Sequence, residues 1–514
     1  MSDAPQFHQA RWNEPIVFEL GSPGERAYLP PPVEAGIAAA VGSAEALVPA
    51  SARRLTPPAL PEVAQPRLRK HFLRLSQETM GAAIGVDIGQ GTATMKFSPP
   101  VLDRIARRVR PLHPLAPVET VQGVLEIVAR FEGILRALSG LERFSFQPGG
   151  GTHGIYANAC IVRAFHAHRG ETQRDEIITT LHSHPADAAA PATAGYKIVT
   201  LQPGPLGYPT PDDLRAVVSE RTAGFFIANP EDTGLFNVAI GELVSIVHDA
   251  GGLCAYDQAN ANGMLTIARA ADAGFDLCQF NLHKTFGSPH GCGGLACGAI
   301  GASAELAPFL PSPLVERAAD GSPYLDSDRP LSAGRVRAFY GAIDTVVRAY
   351  AWAVSLGGDG LRQVAETAVI NNNYLATRLG ETDGIDISFN GDGNSLPRLE
   401  QIRYSLAEAH ERSGIGTEAI SRRTADHGVA AYFPSHHPWT ISEPMTLEPT
   451  ESASRAELDA YVELLQEVLA EGESDPARVE AAPERSAIHR LDETSLEDPA
   501  GWALTWRAYQ RKRG

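Results

Sequence analysis

The spacing of apolar residues changes along this chain from helical to strand-like near residue 145. Before that point, residues 118–138 place apolar side chains three or four positions apart, which predicts an amphipathic helix. Beyond it, short apolar runs alternate with helical segments, a pattern typical of a mostly parallel sheet with crossover helices. Strands are predicted at 177–181, 197–201, 224–228, 252–256, 277–282 and 293–299, with helices at 155–168, 211–220 and 238–250. The chain is therefore expected to have an α/β fold.

Composition and periodicity divide the chain into five regions. Residues 1–105, rich in proline at first and in glycine further on, are predicted to form an extended arm and a loop. Residues 106–340 contain the predicted sheet and form a large domain, and 341–379 form a bridging helix interrupted at Gly357 and Gly358. Residues 380–471 are expected to form a smaller domain, and 472–514 a charged tail.

Length and charge narrow the class of protein. With 514 residues, the chain exceeds a single hydrophobic core of about 250–300 residues, so at least two domains are expected. A net charge of -17 argues against a nucleic acid or an anionic membrane as partner. The five cysteines lack a metal-binding spacing, and no run of about 18 apolar residues occurs. We therefore expect a cytoplasmic protein with reduced thiols and no metal site.

Lys284 stands at the end of the predicted strand 277–282, and glycines follow it closely. Gly287, Gly291 and Gly293 argue against an ordinary helix there. Desolvation at a strand end favours the neutral amine of lysine, and a neutral amine can form a Schiff base with an aldehyde cofactor. The same local pattern also suits an exposed lysine after an edge strand, so the interpretation depends on the rest of the sheet.

Three further segments offer what pyridoxal 5'-phosphate (PLP) needs from a protein. The glycine turn at 149–154 opens a predicted helix, and backbone N–H groups at a helix start bind phosphate. Asp257 follows the strand 252–256 and could keep the pyridine nitrogen protonated, although a turn or helix cap would also suit it. His184 follows the strand 177–181 and could stack on the ring or serve as a structural hydrogen-bonding residue. With Lys284, these groups occur in the order typical of PLP enzymes of the aspartate aminotransferase fold class.

A series of longer motifs extends this pattern along the chain: Gly91-Thr92-Ala93-Thr94-Met95-Lys96, Gln147-Pro148 with Gly151-Thr152-His153-Gly154, Asn229-Pro230, Asp257-Gln258-Ala259-Asn260, Asn281-Leu282-His283-Lys284-Thr285-Phe286, Asp328-Arg329-Pro330 and Glu448-Pro449-Thr450-Glu451. In content and order they resemble the glycine-cleavage P-protein family, glycine dehydrogenase (decarboxylating), in its separate subunit 2 form. The resemblance runs from about residue 55 to residue 495.

The resemblance implies the PLP-dependent transferase fold (fold type I), an α/β fold. This fold has a large domain with a mostly parallel seven-stranded sheet, a smaller C-terminal α/β domain and an N-terminal arm. The resemblance also implies three catalytic residues: Lys284 as the Schiff-base (internal aldimine) lysine, Asp257 at the pyridinium nitrogen and His184 stacked on the ring. The other cofactor contacts that it implies are Asn260 near the 3'-oxygen, and Gly151, Thr152, His153 and His283 around the phosphate.

The family's reaction implies a substrate and partners. In the family, glycine bound to PLP loses CO2, and the aminomethyl group passes to the lipoyl arm of the H-protein. Subunit 2 works with a homologous subunit 1 that lacks the lysine. The resemblance therefore implies an enzyme of the glycine cleavage system that forms a dimer or a heterotetramer.

Some residues beside the implied cofactor contacts depart from the family pattern. Ala93 stands where the family has cysteine, Ile155 where it has glutamate, and Cys292 and Leu295 interrupt a glycine-rich block. These departures leave a second hypothesis, a stand-alone PLP decarboxylase, aminotransferase or lyase that acts on another amino acid. A third hypothesis is a non-catalytic scaffold, and retention of the lysine and the aspartate argues against it.

Overall fold

The computed structural model describes residues 7–26, 28, 31–56, 58, 60–81, 84–90, 96–290, 294–390, 396–430, 435–488, 490, 502–503 and 505–513. Within these ranges the chain forms two compact units. One is Gly81–Ala482, and the other combines Pro5–Met80 with Pro483–Gly514. The first unit contains the sheet that the sequence predicts.

The elements of both units follow in chain order. The helices are α1 (Ala35–Val41), α2 (Gln65–Gln77), α3 (Pro100–Ala106), α4 (Gln122–Ser139), α5 (Gly151–His168), α6 (Ala186–Thr193), α7 (Pro211–Arg215), α8 (Ile240–Asp249), α9 (Ile343–Gly380), α10 (Ala407–Ser413), α11 (Thr417–Ala425), α12 (Arg455–Ser474), α13 (Pro476–Ala481) and α14 (Trp506–Arg513). The strands are β1 (Arg143–Ser145), β2 (Glu176–Thr180), β3 (Lys197–Leu201), β4 (Thr222–Ala228), β5 (Leu253–Gln258), β6 (Leu277–Asn281), β7 (Gly298–Ala302), β8 (Leu314–Arg317), β9 (Pro323–Asp326), β10 (Asp386–Ile387), β11 (Ile402–Ser405) and β12 (Pro444–Leu447).

The central sheet has seven strands in the order β1-β7-β6-β5-β4-β2-β3. Strands β6, β5, β4, β2 and β3 run parallel, whereas β7 is antiparallel to both of its neighbours. Strands β4, β5 and β6 are buried along nearly their whole length, as expected of parallel strands with both faces covered. The predicted α/β fold with a mostly parallel sheet is confirmed.

Among the predicted elements, one strand and one helix differ clearly in extent from those observed, in addition to the start of α5 described below. The strand predicted at 293–299 is observed as β7, Gly298–Ala302, because the glycine-rich residues before it weaken a strand; residues 291–293 lie outside the described residues. The helix predicted at 211–220 ends as α7 at Arg215. The β-branched Val217 and Val218, which lose side-chain freedom in a helix, follow that end.

The carboxyl ends of β1, β2, β4, β5 and β6 lie at the same edge of the sheet, as their pairings require. The segments that leave these strands contain the start of α5, His184, Asp232, Asn260 and Lys284. Open α/β sheets bind their ligands at this edge. The topology therefore gathers residues that are far apart in the sequence.

Helix α9 spans 38 residues and leads from the central sheet to a three-stranded antiparallel sheet of order β10-β11-β12. It is interrupted at Gly357, whose φ of +66° favours glycine. The second sheet shares its core with α9, α12 and α13, where Leu375, Tyr404 and Val479 are buried. The first residues of the charged segment 472–514 therefore contribute to this core. Across the described ranges, no helix is both long enough and apolar enough to cross a bilayer.

The other unit joins N-terminal and C-terminal segments by specific hydrogen bonds. Gln9 N donates to Arg485 O at 2.9 Å, and Ala487 N donates to Gln9 Oε1 at 2.8 Å. Within the same unit, Arg74 of α2 donates to Glu14 Oε1 at 2.6 Å. Two of these contacts join the segment that the sequence predicts as an arm to the C-terminal segment.

Candidate active site

A cavity of about 350 Å³ opens at the carboxyl edge of the central sheet. The groups singled out in the sequence line it: Lys284, Asp257, His184 and the glycine segment at the start of α5. Other lining residues come from α5, β5, β6 and the segment after β6: Thr152, His153, Ile155, Ala259, Gln279, Asn281, His283, His290, Gly294 and Ala296. The fold thus gathers the site residues implied by the resemblance in one cavity, except Asn260, which lines an adjoining one.

Helix α5 begins at Gly151, earlier than the predicted start at residue 155, so the glycines form its first turn. Its N-cap is Gly150, which has no side chain to cap the first N–H groups, and these can bind an anion. A Cβ on Gly151 would lie 2.9 Å from Asn281 Nδ2, and one on Gly154 would lie 2.7 Å from Gln279 Oε1. Glycine at these positions therefore lets the helix start approach β6.

Two imidazoles and a hydroxyl-bearing residue surround the start of α5. Gly149 N donates to His153 Nδ1 at 3.1 Å, and His283 Nδ1 lies 3.3 Å from Cys297 O. Burial lowers the pKa of both histidines, that of His283 to about 3, so both rings are neutral near pH 7. With Thr152 they place polar, uncharged groups around the start of α5, and the Arg337 guanidinium lies near Gly149 and His153.

Asp257 lies in β5 directly opposite Gln279 of β6. Its Oδ1 accepts hydrogen bonds from Gln279 Nε2 at 2.5 Å and from Ala259 N at 2.8 Å. Burial raises the pKa of Asp257, while these hydrogen bonds and the charge of Lys284 oppose the rise. A cationic ligand nitrogen beside the carboxyl would stabilise its ionised form, and a pyridinium needs such a partner.

His184 lies in the segment between β2 and α6. Burial lowers its pKa to about 3, and the neighbouring His436 and Lys284 add to the effect, so the ring is neutral. Ala186 N donates to its Nδ1 at 3.0 Å, which places the ring proton on Nε2. A neutral planar ring in the cavity wall suits stacking on an aromatic ligand.

Lys284 stands in a turn that backbone hydrogen bonds define. Lys284 N donates to Asn281 O at 3.1 Å, and Gly287 N donates to Lys284 O at 3.0 Å. Gly287 has a φ of +68°, and a Cβ there would lie 3.2 Å from the Trp352 ring. The turn therefore requires glycine at this position and holds the lysine at the cavity wall.

A smaller cavity of about 50 Å³ adjoins the first and shares Lys284, Asp257, His184 and Ala259 with it. Its other walls are formed by Gln90, Ala228, Pro230, Glu231, Asp232, Asn260, Glu400, Gln401, His436 and Glu448. Asn260 Nδ2 donates to Glu448 Oε1, which also accepts from Asn262 Nδ2 at 3.1 Å. The Asn260 amide, expected near the 3'-oxygen of PLP, is thus hydrogen-bonded to Glu448.

Three glutamates in the smaller cavity have raised pKa values, as Asp257 does. Burial raises the pKa of Glu231 and of Glu400 to about 8, and that of Glu448 to about 7. The charge of Lys284 opposes the shift of Glu448. Near neutral pH, much of this acidic wall is therefore uncharged.

The departures from the family pattern lie at different distances from the cavities. Ile155 is buried and lines the larger one, where it adds an apolar wall. Leu295 is 49% exposed. Ala93 and Cys292 lie outside the described residues. Ile155 is thus the departure that the described structure places at the cofactor cavity.

Several lining residues were not predicted from the sequence. Gln279 and Asn281 are two positions apart on β6 and therefore point to the same face, towards the start of α5. Two amide side chains in an otherwise apolar strand could have identified these positions as part of the site. Glu400 and His436 reach the site from segments more than 100 residues beyond Lys284, and no local spacing marks them.

The residues of the larger cavity fit PLP. The start of α5 can bind its phosphate, Asp257 its pyridine nitrogen, His184 its ring face and Lys284 its aldehyde. Within the described residues, the buried Asn281 Oδ1 has no hydrogen-bond partner, so a polar ligand could satisfy it. The volume falls within the usual range of about 300–1,000 Å³ for cofactor and ligand sites.

Two family models match the chain. The model "Glycine dehydrogenase, C-terminal domain" matches residues 364–488, and "Aminotransferase class-V" matches residues 149–313. The second match spans the strands that carry Asp257 and Lys284. Since these matches coincide with a cavity that fits PLP, the protein is a PLP-dependent enzyme.

Solved structures share the fold. A glycine decarboxylase (P-protein) of the glycine cleavage system, in inhibitor-bound form, matches with a TM-score of 0.71 and 22% identity, over 86% of this chain and 100% of that chain. The cysteine desulfurase CsdA from Escherichia coli matches with a TM-score of 0.58 and 15% identity, over 77% of this chain and 98% of that chain. The predicted PLP-dependent transferase fold is thereby confirmed.

Full-length relatives share one name. The "Probable glycine dehydrogenase (decarboxylating) subunit 2" of Pyrococcus abyssi is 37% identical to this chain and covers 98% of it and 98% of its own length. The protein of the same name from Thermococcus kodakarensis is 38% identical and covers 99% of both chains. The chain therefore belongs to the glycine dehydrogenase (decarboxylating) subunit 2 family.

Proposed function

We propose that the protein decarboxylates glycine with the aid of PLP and passes the aminomethyl group to a lipoyl carrier protein. In this role it is the subunit 2 half of a glycine dehydrogenase (decarboxylating). The names of its full-length relatives support this function over a stand-alone enzyme for another amino acid. The resemblance that the sequence shows from about residue 55 to residue 495 supports it as well.

The main observation behind the proposal is that two adjoining cavities of unequal volume share lining residues. Lys284, Asp257 and His184 line both a cavity of about 350 Å³ and one of about 50 Å³. One water-sized atom needs about 10–15 Å³ of such space, so the smaller cavity has room for only a few atoms. That room suits glycine, which has no side chain.

Each residue has a role that follows from its contacts. Asp257, fixed by Gln279 and Ala259, would keep a proton on the pyridine nitrogen. The neutral ring of His184 would pack on the cofactor ring, the start of α5 would bind the phosphate, and Lys284 would supply the anchoring amine. When bound, PLP accepts the electron pair that remains at the α-carbon after CO2 leaves.

The walls around the substrate support loss of the carboxylate. Among the described residues that line either cavity, none is an arginine, the residue that binds a carboxylate most tightly. Glu231, Glu400 and Glu448 line the smaller cavity instead. A buried carboxylate without an arginine partner is destabilised relative to neutral CO2, because it loses its hydration without gaining a cationic neighbour.

We also propose a cytoplasmic assembly with partners. The words "subunit 2" in the relatives' names support a companion subunit 1, in a dimer or a heterotetramer. The four described cysteines, Cys160, Cys254, Cys278 and Cys297, are free thiols, which agrees with a reducing compartment. The lipoyl carrier completes the reaction because the aminomethyl group needs an acceptor.

Glycine–bicarbonate exchange tests the function. Labelled bicarbonate should enter the carboxyl group of glycine when this protein, its matched subunit 1, a lipoylated carrier and PLP are all present. Lys284→Ala should abolish exchange, whereas Lys197→Ala, at an exposed position on β3, should leave it unchanged. Absence of exchange in the complete mixture, or faster decarboxylation of a larger amino acid, would reject the proposal.

A further inference from the structure

We infer that His436 is the acid–base residue that accepts the proton from the ammonium group of the amino-acid substrate, and that Asp232 is its positioning residue. The inference rests on the proposed function, because it concerns the same site and an amino-acid substrate. It adds residues that neither the sequence motifs nor the relatives' names assign.

His436 lines the smaller cavity together with Lys284, Asp257 and His184. Its ring meets that of His184 edge to face, with centroids 4.6 Å apart and an interplanar angle of 64°. The ring expected to stack on the cofactor therefore touches His436 on the side of the small cavity. In that position the imidazole borders the space proposed for the substrate.

Asp232 can orient this imidazole. Its Oδ2 lies 3.5 Å from His436 Nδ1 and 2.9 Å from His437 Nδ1, and its Oδ1 accepts from Gln90 Nε2 at 3.3 Å. Burial alone would raise the pKa of Asp232, but the two neighbouring histidines hold it well below its ordinary value. A buried carboxylate beside Nδ1 can hold the ring in one orientation.

His436 and His437 have different surroundings, which suggest different roles. The backbone oxygen of His437 accepts a hydrogen bond from Arg403 Nη2 at 2.5 Å, and its ring packs 5.5 Å from that of Trp439. His437 lines neither of the two cavities, whereas His436 lines the smaller one. His437 therefore supports Asp232, and His436 faces the substrate.

Other titratable groups also face this space: Glu231 and Asp232 after β4, Asp257 in β5, Lys284 after β6, His184 after β2, Glu400 before β11, Glu448 after β12, and His437 in the adjacent position. With a pKa of about 3, His184 holds no proton near pH 7. Glu400 and Glu448, with pKa values of about 8 and 7, already hold protons over much of the neutral range. His436 is therefore the group best suited to accept one.

The step is a proton transfer. Glycine enters with an ammonium group, whose nitrogen has no free electron pair. One N–H bond of the ammonium breaks, its electron pair stays on nitrogen, and the proton moves to Nε2 of His436. The products are a neutral amine, which can form a bond to carbon, and an imidazolium beside Asp232. No oxidant or further reactant is needed.

Rapid mixing of the PLP-loaded protein with glycine tests the inference. The rate of the cofactor's absorbance change is measured between about pH 6 and 9 for His436→Gln and for the unaltered protein. The variant should keep its absorbance before glycine is added, react at least about 100-fold more slowly, and lose the pH dependence in the range where imidazoles titrate. Added imidazole should partly restore the rate of His436→Ala, which a purely structural role would not produce.

Asp232→Asn tests the positioning residue. It should react about 10-fold more slowly, and the midpoint of its pH profile should move to lower pH, because the imidazolium loses an anionic neighbour. His248→Gln is the matched control: His248 Nε2 pairs with Asp276 Oδ2 at 2.8 Å, and His248 lines neither cavity. This control should behave like the unaltered protein.

Three results would overturn the inference. They are an unchanged rate and pH profile in His436→Gln, loss of the cofactor absorbance in that variant before glycine is added, or loss of the pH dependence in Glu448→Gln instead. If the unaltered protein responds only to another amino acid, the proposed substrate is wrong. The same His436 comparison then applies with that amino acid, so the two failures are distinguishable.

Discussion

Gln279 donates a hydrogen bond of 2.5 Å to Asp257, its partner in register on the neighbouring parallel strand. Only strand pairing brings these two positions together, since 22 residues separate them in the chain. The oxygen of the same amide, Gln279 Oε1, lies beside Gly154 of α5. One side chain therefore links the residue proposed for the pyridine nitrogen to the helix proposed for the phosphate.

Gln279→Leu should weaken PLP binding by about 10- to 100-fold. A hydrogen bond to a charged group contributes about 1.5–3 kcal/mol, and Asp257 would keep only the bond from Ala259 N. Titration of the cofactor-free protein with PLP measures the affinity. Gln122→Leu is the control, because its amide bonds to backbone oxygens of Val118 and Pro323 outside the cavity. Equal affinities for both variants would contradict this role of Gln279.

Gly154→Ala should also lower the affinity for PLP. The added Cβ would lie 2.7 Å from Gln279 Oε1, and that amide is already bonded to Asp257, so α5 or β6 must shift. Overpacking of this kind costs about 1–3 kcal/mol. In Gly133→Ala, within α4, the new Cβ meets nothing within 4 Å beyond its chain neighbours and its own helix backbone, and the helix should gain about 0.5–1 kcal/mol. PLP titration and thermal unfolding of both variants measure these effects. Unchanged PLP binding by Gly154→Ala would contradict the close approach of α5 to β6.

Lys96 forms a buried ion pair. Its Nζ lies 2.9 Å from both carboxylate oxygens of Glu451 and 4.9 Å above the Trp352 ring. Lys96→Met should lower the free energy of unfolding by about 3–5 kcal/mol, because it leaves Glu451 without its partner. The double change with Glu451→Leu should recover part of this loss. Urea denaturation measures both.

The control for this pair is an exposed one. Arg362 and Glu366 pair at 2.7 Å on the surface of α9, and Arg362→Met should cost no more than about 0.5 kcal/mol. A loss of similar size for Lys96→Met would show that burial adds nothing to the Lys96–Glu451 pair.

Glu400 should make stability depend on pH. Burial raises its pKa to about 8 in the folded protein, above about 4.3 for an unperturbed glutamate. The folded state therefore holds the proton more tightly, and the resulting stabilisation is full below about pH 4 and is lost as pH rises to about 8. Glu400→Gln cannot ionise, so its stability should fall less between pH 5 and 8, by about 1–3 kcal/mol.

Urea denaturation at pH 5 and at pH 8 checks the effect. Glu463→Gln, at an exposed position on α12, serves as the control and should keep the original pH dependence. The same pH dependence in Glu400→Gln as in the unaltered protein would show that Glu400 does not titrate in this range.

Much of the fold was predictable because its signals are local. The apolar runs of β4, β5 and β6 read as buried strands, and a lysine followed by glycines marked the turn after β6. The start of α5 was predicted too late, since its position depends on the fit of Gly151 and Gly154 against side chains of β6. The spacing of apolar residues within the helix does not indicate this contact with β6.

The site was predictable on its cofactor side and not on its substrate side. Asp257 and Lys284 end neighbouring strands, so the topology rule for parallel sheets places them together. Glu400, Glu448 and His436 reach the smaller cavity from distant segments. Their approach depends on packing between two sheets, which periodicity does not encode.

The attachment of PLP to Lys284 is the central claim, and borohydride reduction tests it most directly. The chain has five lysines, Lys70, Lys96, Lys197, Lys284 and Lys512, so peptide mass mapping can assign the reduced cofactor to one of them. Lys284 should carry the label, Lys284→Ala should carry none, and glycine added before reduction should lower the labelling. A label on another lysine, or an unlabelled Lys284 in the PLP-loaded protein, would contradict the account.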